Sequence, residues 1–130
     1  MAVSKPSGAQ PATTVRNVFS VPLDPWPIGP ELVRAGKPVA NGMVIARSDD
    51  RRAFTGVWEC SPGTYDWTYT YDETISVVAG MVTITDLGGE PRVFTSGDVV
   101  HFPIGLHTTW TIHETVRAVF AVISPEPLDA

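Results

Sequence analysis

The 130 residues suit a single domain, whose folding would bury about two-thirds of the surface of the unfolded chain; 43% hydrophobic and 18% charged residues exclude a disordered polymer. A formal net charge of −5 leaves no basic footprint for a phosphate backbone, so nucleic acid is not an expected partner. No apolar run approaches the roughly 18 residues of a membrane span, and the first residues lack the apolar centre of a secretory signal, so the expected location is the cytoplasm with no membrane partner.

Residues 1–18 are rich in Ala, Ser, Thr, Pro and Gly, with Lys5 and Arg16 but no acid, and read as a flexible leader. Residues 19–41 carry Pro22, Pro25, Pro27, Pro30 and Pro38 around Trp26. Proline removes backbone donors and fixes φ, so this stretch can be neither a long helix nor a central strand. It is predicted to be an extended arm, packed on its own domain or on a neighbouring subunit, with a helical turn near Pro30 to Ala35 that ends at Gly36.

From residue 42 the texture changes to short runs rich in β-branched and aromatic residues: 43–47, 53–60, 66–71, 73–78, 81–86, 92–95, 99–102, 108–112 and 117–123. Between them lie turn residues, among them Ser61-Pro62-Gly63, Gly80, Leu87-Gly88-Gly89, Ser96-Gly97-Asp98 and Pro103-Ile104-Gly105. No segment keeps a helical period over three turns. The pattern predicts an all-β barrel or jelly roll over 42–124, followed by a tail at 125–130. The single cysteine, Cys60, cannot form an intramolecular disulfide and reads as a small buried hydrophobe.

The run Gly56-Val57-Trp58-Glu59-Cys60-Ser61-Pro62-Gly63, with Trp67, Tyr69, Asp72-Glu73 and Gly80 after it, resembles the first motif of the cupins. Gly97-Asp98-Val99-Val100-His101-Phe102-Pro103-Ile104-Gly105, followed by Thr109-Trp110, resembles the second. The likeness spans residues 43–123 and is strongest to the small cupins related to the cupin domain of (S)-ureidoglycine aminohydrolase. It implies a double-stranded β-helix, or jelly-roll barrel, behind the N-terminal arm.

In metal-binding cupins the first motif supplies two histidines one residue apart and then a glutamate, and the second motif adds another histidine. The resemblance places the glutamate on Glu73, the paired histidines on Asp66 and Thr68, or with a shorter spacing on Trp67 and Tyr69, and the last histidine on Thr108. One carboxylate with two hydroxyls holds a first-row metal poorly, so no cofactor is expected. A composite metal site of Asp66, Glu73 and His107 requires a bulge, because His107 lies one residue early and would otherwise turn to the opposite face. His101 and His113 have no second histidine placed to complete a site and are assigned structural or solvent roles.

If Asp66 and Thr68 face inward, strand alternation turns Trp67, Tyr69 and Tyr71 outward, and puts Thr108, Trp110 and Ile112 on one face. The candidate ligand-binding set is then Trp58, Asp66, Thr68, Glu73, Thr108 and Trp110. Core packing is the competing role for Trp58 and Trp110, whereas an inward carboxylate at Glu73 must find a partner or raise its pKa. The outward aromatic stripe would need covering, for which a homodimer is the preferred explanation. Three functions follow: a metal-independent cupin binding a small polar metabolite such as a sugar, a carboxylate or a ureido compound; a metal-dependent enzyme similar to ureidoglycine aminohydrolase; or an interaction module with a filled barrel.

Overall fold

The computed structural model describes residues 11–86 and 88–128. Residues 1–10 of the expected leader and residues 129–130 of the tail lie outside them. Among the described residues nine strands form one curled sheet: β1 (Asp24–Pro25), β2 (Val33–Gly36), β3 (Ala40–Arg47), β4 (Ala53–Cys60), β5 (Gly63–Thr68), β6 (Asp72–Asp86), β7 (Arg92–Thr95), β8 (Val99–Phe102) and β9 (His107–Ile123). This is an all-β barrel. No helix among the described residues is long and apolar enough to cross a membrane.

The long β9 organises the barrel. One of its edges pairs with β5 over His107–Ile112 and with β4 over Val116–Ile123, while the other runs beside β6 from Thr108 to Ile123. Residues 73–78 and 81–86 thus belong to one strand, as do 108–112 and 117–123. Gly80 is a bend within β6 and not the tight reversal that its type suggested. The β6–β9 register shifts around residues 77–82; Gly80 has φ +89°, and a Cβ there would run into the Thr115 carbonyl. A bulge of this kind bends a ribbon and increases its twist, here allowing both ends of the β6–β9 pair to curl around one interior.

The arm packs on its own barrel. Asp24–Pro25 pairs with Asn41–Gly42, a 3-10 turn covers Pro30–Leu32, and Val33–Gly36 joins the sheet beside Gly63–Tyr65. The predicted helical turn is therefore shorter than expected and gives way to a strand. Arg117 ties down the arm's beginning: its Nη1 donates to the carbonyls of Val18 at 2.9 Å and Val21 at 3.3 Å, and its Nε donates to Glu59 at 3.3 Å. Val77, Val82, Ile84, Val100 and Phe102, with Ile112 and Val116 of β9, pack into the buried core of the interior.

Candidate functional site

Beside this core the barrel holds a cavity of about 130 Å³. Trp26, Pro27 and Ile28 of the arm form one wall; Phe54 and Trp58 of β4, Tyr65 and Trp67 of β5, and Tyr69 and Tyr71 of the following turn form others. Trp110, Ala118, Phe120 and Val122 of β9 line the centre, with Glu73 and Ile75 entering from the start of β6. All four tryptophans and all three tyrosines of the chain border this one space. Tyr69 stacks on Phe102 at 4.6 Å, Phe102 tilts against Trp110 at 5.7 Å, and Trp110 contacts both Tyr65 and Trp58 at 5.9 and 5.7 Å. Such ring pairs hold each side chain in one orientation.

Trp58, Glu73 and Trp110 of the candidate set lie on the cavity. Asp66 and Thr68 do not, and their inward assignment is corrected. The inward residues of β5 and the turn after it are Tyr65, Trp67, Tyr69 and Tyr71, so the register with the shorter spacing is the one the fold adopts. Apolar burial explains the choice: one register immerses two tyrosines and a tryptophan, and the other would immerse an aspartate. Asp66 instead accepts hydrogen bonds from Arg34 Nε at 2.6 Å and Thr109 Oγ1 at 2.8 Å on the outer face. The Thr109 hydroxyl, with help from the Arg34 guanidinium, holds its carboxyl below the usual range. Its work is to fasten β2 to β5. The expected outward aromatic stripe is likewise interior, which removes the ground for covering it with a second subunit.

Thr108 is buried on the same side as Trp110 and Ile112, yet its hydroxyl donates to the Trp67 carbonyl at 2.9 Å and is spent on the backbone. Thr68 and His107 share a 2.8 Å hydrogen bond on the exposed outer face. No bulge turns His107 inward, so Asp66 and His107 stand on the far side of the sheet from Glu73 and the composite metal site does not assemble. His101 pairs with Thr74 at 2.8 Å and His113 with Thr83 at 2.7 Å, both exposed. Among the described residues no three His, Cys, Asp or Glu side chains gather as a metal site would require. At the positions where metal-binding cupins carry histidines this barrel has Trp67, Tyr69 and Thr108, and an indole, a phenol and a bonded hydroxyl are not the nitrogen donors a divalent metal takes. The residues present do not fit a metal.

Glu73 is the exception within the aromatic lining. No hydrogen bond or ion pair from another described side chain reaches its carboxyl, and burial alone raises its pKa to about 7. The phenols of Tyr65 and Tyr69 are held well above their ordinary range, mainly by burial, with the Glu73 charge adding to it. Burial and then Glu73 push Tyr71 to about 12. Trp110 Nε1 lies near enough to the Tyr69 hydroxyl to favour its ionised form, but the pair falls short of a hydrogen bond and the indole N–H is buried without a partner. Cys60 is fully buried with its thiol pushed up to about 12, first by burial and then by Glu59, and takes no part.

A family model described as the EutQ-like cupin domain matches residues 47–120, more than half of the chain. The chain belongs to the EutQ-like cupin family. Among solved structures this cupin is similar to the EutQ protein of Clostridium difficile, with TM-score 0.60 and 23% identity over 72% of this chain and 71% of that one. A putative ethanolamine utilization protein of Salmonella typhimurium gives TM-score 0.58 and 21% identity over 65% and 69% of the two chains. A protein of unknown function from Pseudomonas syringae pv. tomato, of the DUF861 family, gives TM-score 0.74 and 21% identity over 82% of this chain and 46% of that one. At these identities the likeness is one of fold. No curated protein matches the sequence.

One signal in the sequence points to this lining. Trp67, Tyr69 and Tyr71 alternate with Asp66, Thr68 and Thr70, a period-2 pattern that assigns the aromatic face to the interior. Trp26 has no such signal, because the proline-rich arm carries no periodicity.

Proposed function

We propose that this EutQ-like cupin is a metal-independent binding protein that takes a small molecule into the aromatic cavity around Glu73. The observation that carries the reading is the Glu73 carboxyl itself, half-buried on the cavity wall with no hydrogen-bond or ion-pair partner among the described residues. A buried ionisable group normally finds a hydrogen bond or an ion pair, and leaving it bare costs stability. A ligand group in the cavity would supply what the protein withholds. The volume supports the same reading, since an engineered apolar cavity of about 150 Å³ accepts benzene.

The test is a melting-temperature screen of chelator-treated protein against small metabolites of differing charge, with tryptophan fluorescence as a second readout. At least one compound should raise the melting temperature and alter the emission; a ligand at 100 times its Kd adds about 2.7 kcal/mol. Silence in both readouts across the panel would favour the filled-barrel module instead. A metal-dependent enzyme similar to ureidoglycine aminohydrolase has less support, because Trp67, Tyr69 and Thr108 offer no imidazole. Stoichiometric manganese, iron or zinc in protein purified without chelator would restore that reading.

A further inference from the structure

Which molecule suits the cavity follows from what its wall contains and what it lacks. Among the described residues no lysine, arginine or histidine lines it. A carboxylate or phosphate ligand would meet no counter-charge there and would face Glu73. An uncharged apolar ligand would leave the carboxyl as bare as before. Trp26, Trp58, Trp67 and Tyr71 are only partly buried by the core, so part of their ring surface is left to the cavity. The faces of such rings carry the negative end of a quadrupole and attract cations within about 6 Å of their centroids.

Building on the cavity-binding reading, we propose that the ligand is a small organic ammonium compound, its cationic nitrogen set against the Glu73 carboxylate and its alkyl groups against the surrounding indole and phenol rings. A cation completes the carboxyl as an ion pair on a half-buried, largely aromatic wall, where the attraction is stronger than in open water. The alkyl groups around the nitrogen spread its charge and lower its hydration, so the aromatic wall replaces lost water contacts. Tyr65, Tyr69 and Tyr71 are the titratable neighbours that the cavity wall gives Glu73, and all three are neutral near pH 7. Asp72, next in sequence, is turned away and accepts the Ile104 N–H at 2.8 Å.

Choline and 3,3-dimethylbutan-1-ol test this directly, because they share a shape and a hydroxyl and differ in a quaternary nitrogen against a quaternary carbon. Titration calorimetry at pH 8, followed in parallel by tryptophan fluorescence, should find choline bound at least ~10-fold more tightly than the neutral alcohol. Glu73→Gln should weaken choline about 10-fold or more while leaving the alcohol unchanged, which also places the cation beside that residue. Phenol and benzoate complete the set as a neutral ring and an anion. Equal affinity for choline and its carbon analogue would overturn the ammonium assignment and leave cavity binding intact. So would binding of phenol or benzoate alone. If none of the four binds to wild-type protein, the ammonium assignment fails, and the wider metabolite screen then decides whether cavity binding fails with it.

Discussion

In water a glutamate side chain ionises near pH 4.5, and inside this barrel burial moves Glu73 to about 7. Between those values the native protein holds a proton that the unfolded chain has already released. Stability therefore falls as pH rises through that window and levels off above pH 7. A shift of that size corresponds to a cost on the order of 3 kcal/mol. Glutamine has a similar shape and does not titrate. Urea unfolding at pH 5 and pH 8 should show wild-type protein losing stability across this interval relative to Glu73→Gln, by on the order of 3 kcal/mol. Parallel behaviour of the two proteins would mean that Glu73 ionises as it does in water. A residue that lowers the stability of its own fold calls for a compensating reason, and ligand recognition supplies one. Asp66 is the opposite case: its bonds to Thr109 and Arg34 favour the charged form, so it belongs to the scaffold.

At the level of strands, much is legible in the sequence because turn chemistry and alternation act locally. The bounds 53–60, 92–95 and 99–102 coincide with β4, β7 and β8. The register of β5 is misread where a family spacing is preferred to the alternation of Tyr65, Trp67 and Tyr69 with Asp66 and Thr68; a slip of one residue exchanges the two faces completely. Gly80 is misread for a different reason. A glycine that ends a strand and one that bends it through a bulge look alike in sequence, and the opposing Thr115 carbonyl that separates them lies on another strand. Gly80→Ala combines a positive φ with that collision and should cost at least ~2 kcal/mol in urea unfolding. Gly97→Ala, at φ +99° with nothing near the added methyl, carries the backbone penalty alone, about 1–2 kcal/mol. The larger loss at Gly80 measures how tightly β6 is bent against β9.

For the whole molecule, one wall of the cavity comes from outside the stretch that carries the family likeness. The match covers residues 47–120, whereas Trp26, Pro27 and Ile28 precede it. The arm is fastened on both sides of these residues, by the pairing of Asp24–Pro25 with Asn41–Gly42 and by Val33–Gly36 beside β5. Trp26 itself donates its backbone N–H to Ala40 at 3.0 Å, sets its ring edge-on to Phe120 at 6.0 Å and lies over Gly42, where a Cβ would collide with it. If this ring closes the mouth, Trp26→Ala should expose the cavity without unfolding the barrel. Trp26→Phe should keep it covered. Each variant retains the same three tryptophans, Trp58, Trp67 and Trp110, so their emission can be compared directly. Acrylamide should quench Trp26→Ala more strongly than Trp26→Phe, while urea unfolding shows the alanine variant losing about 2–3 kcal/mol and still unfolding cooperatively, since the ring is only partly buried. Equal quenching would show that the arm decorates the barrel without closing it, and the cavity would then be bounded by the strands alone.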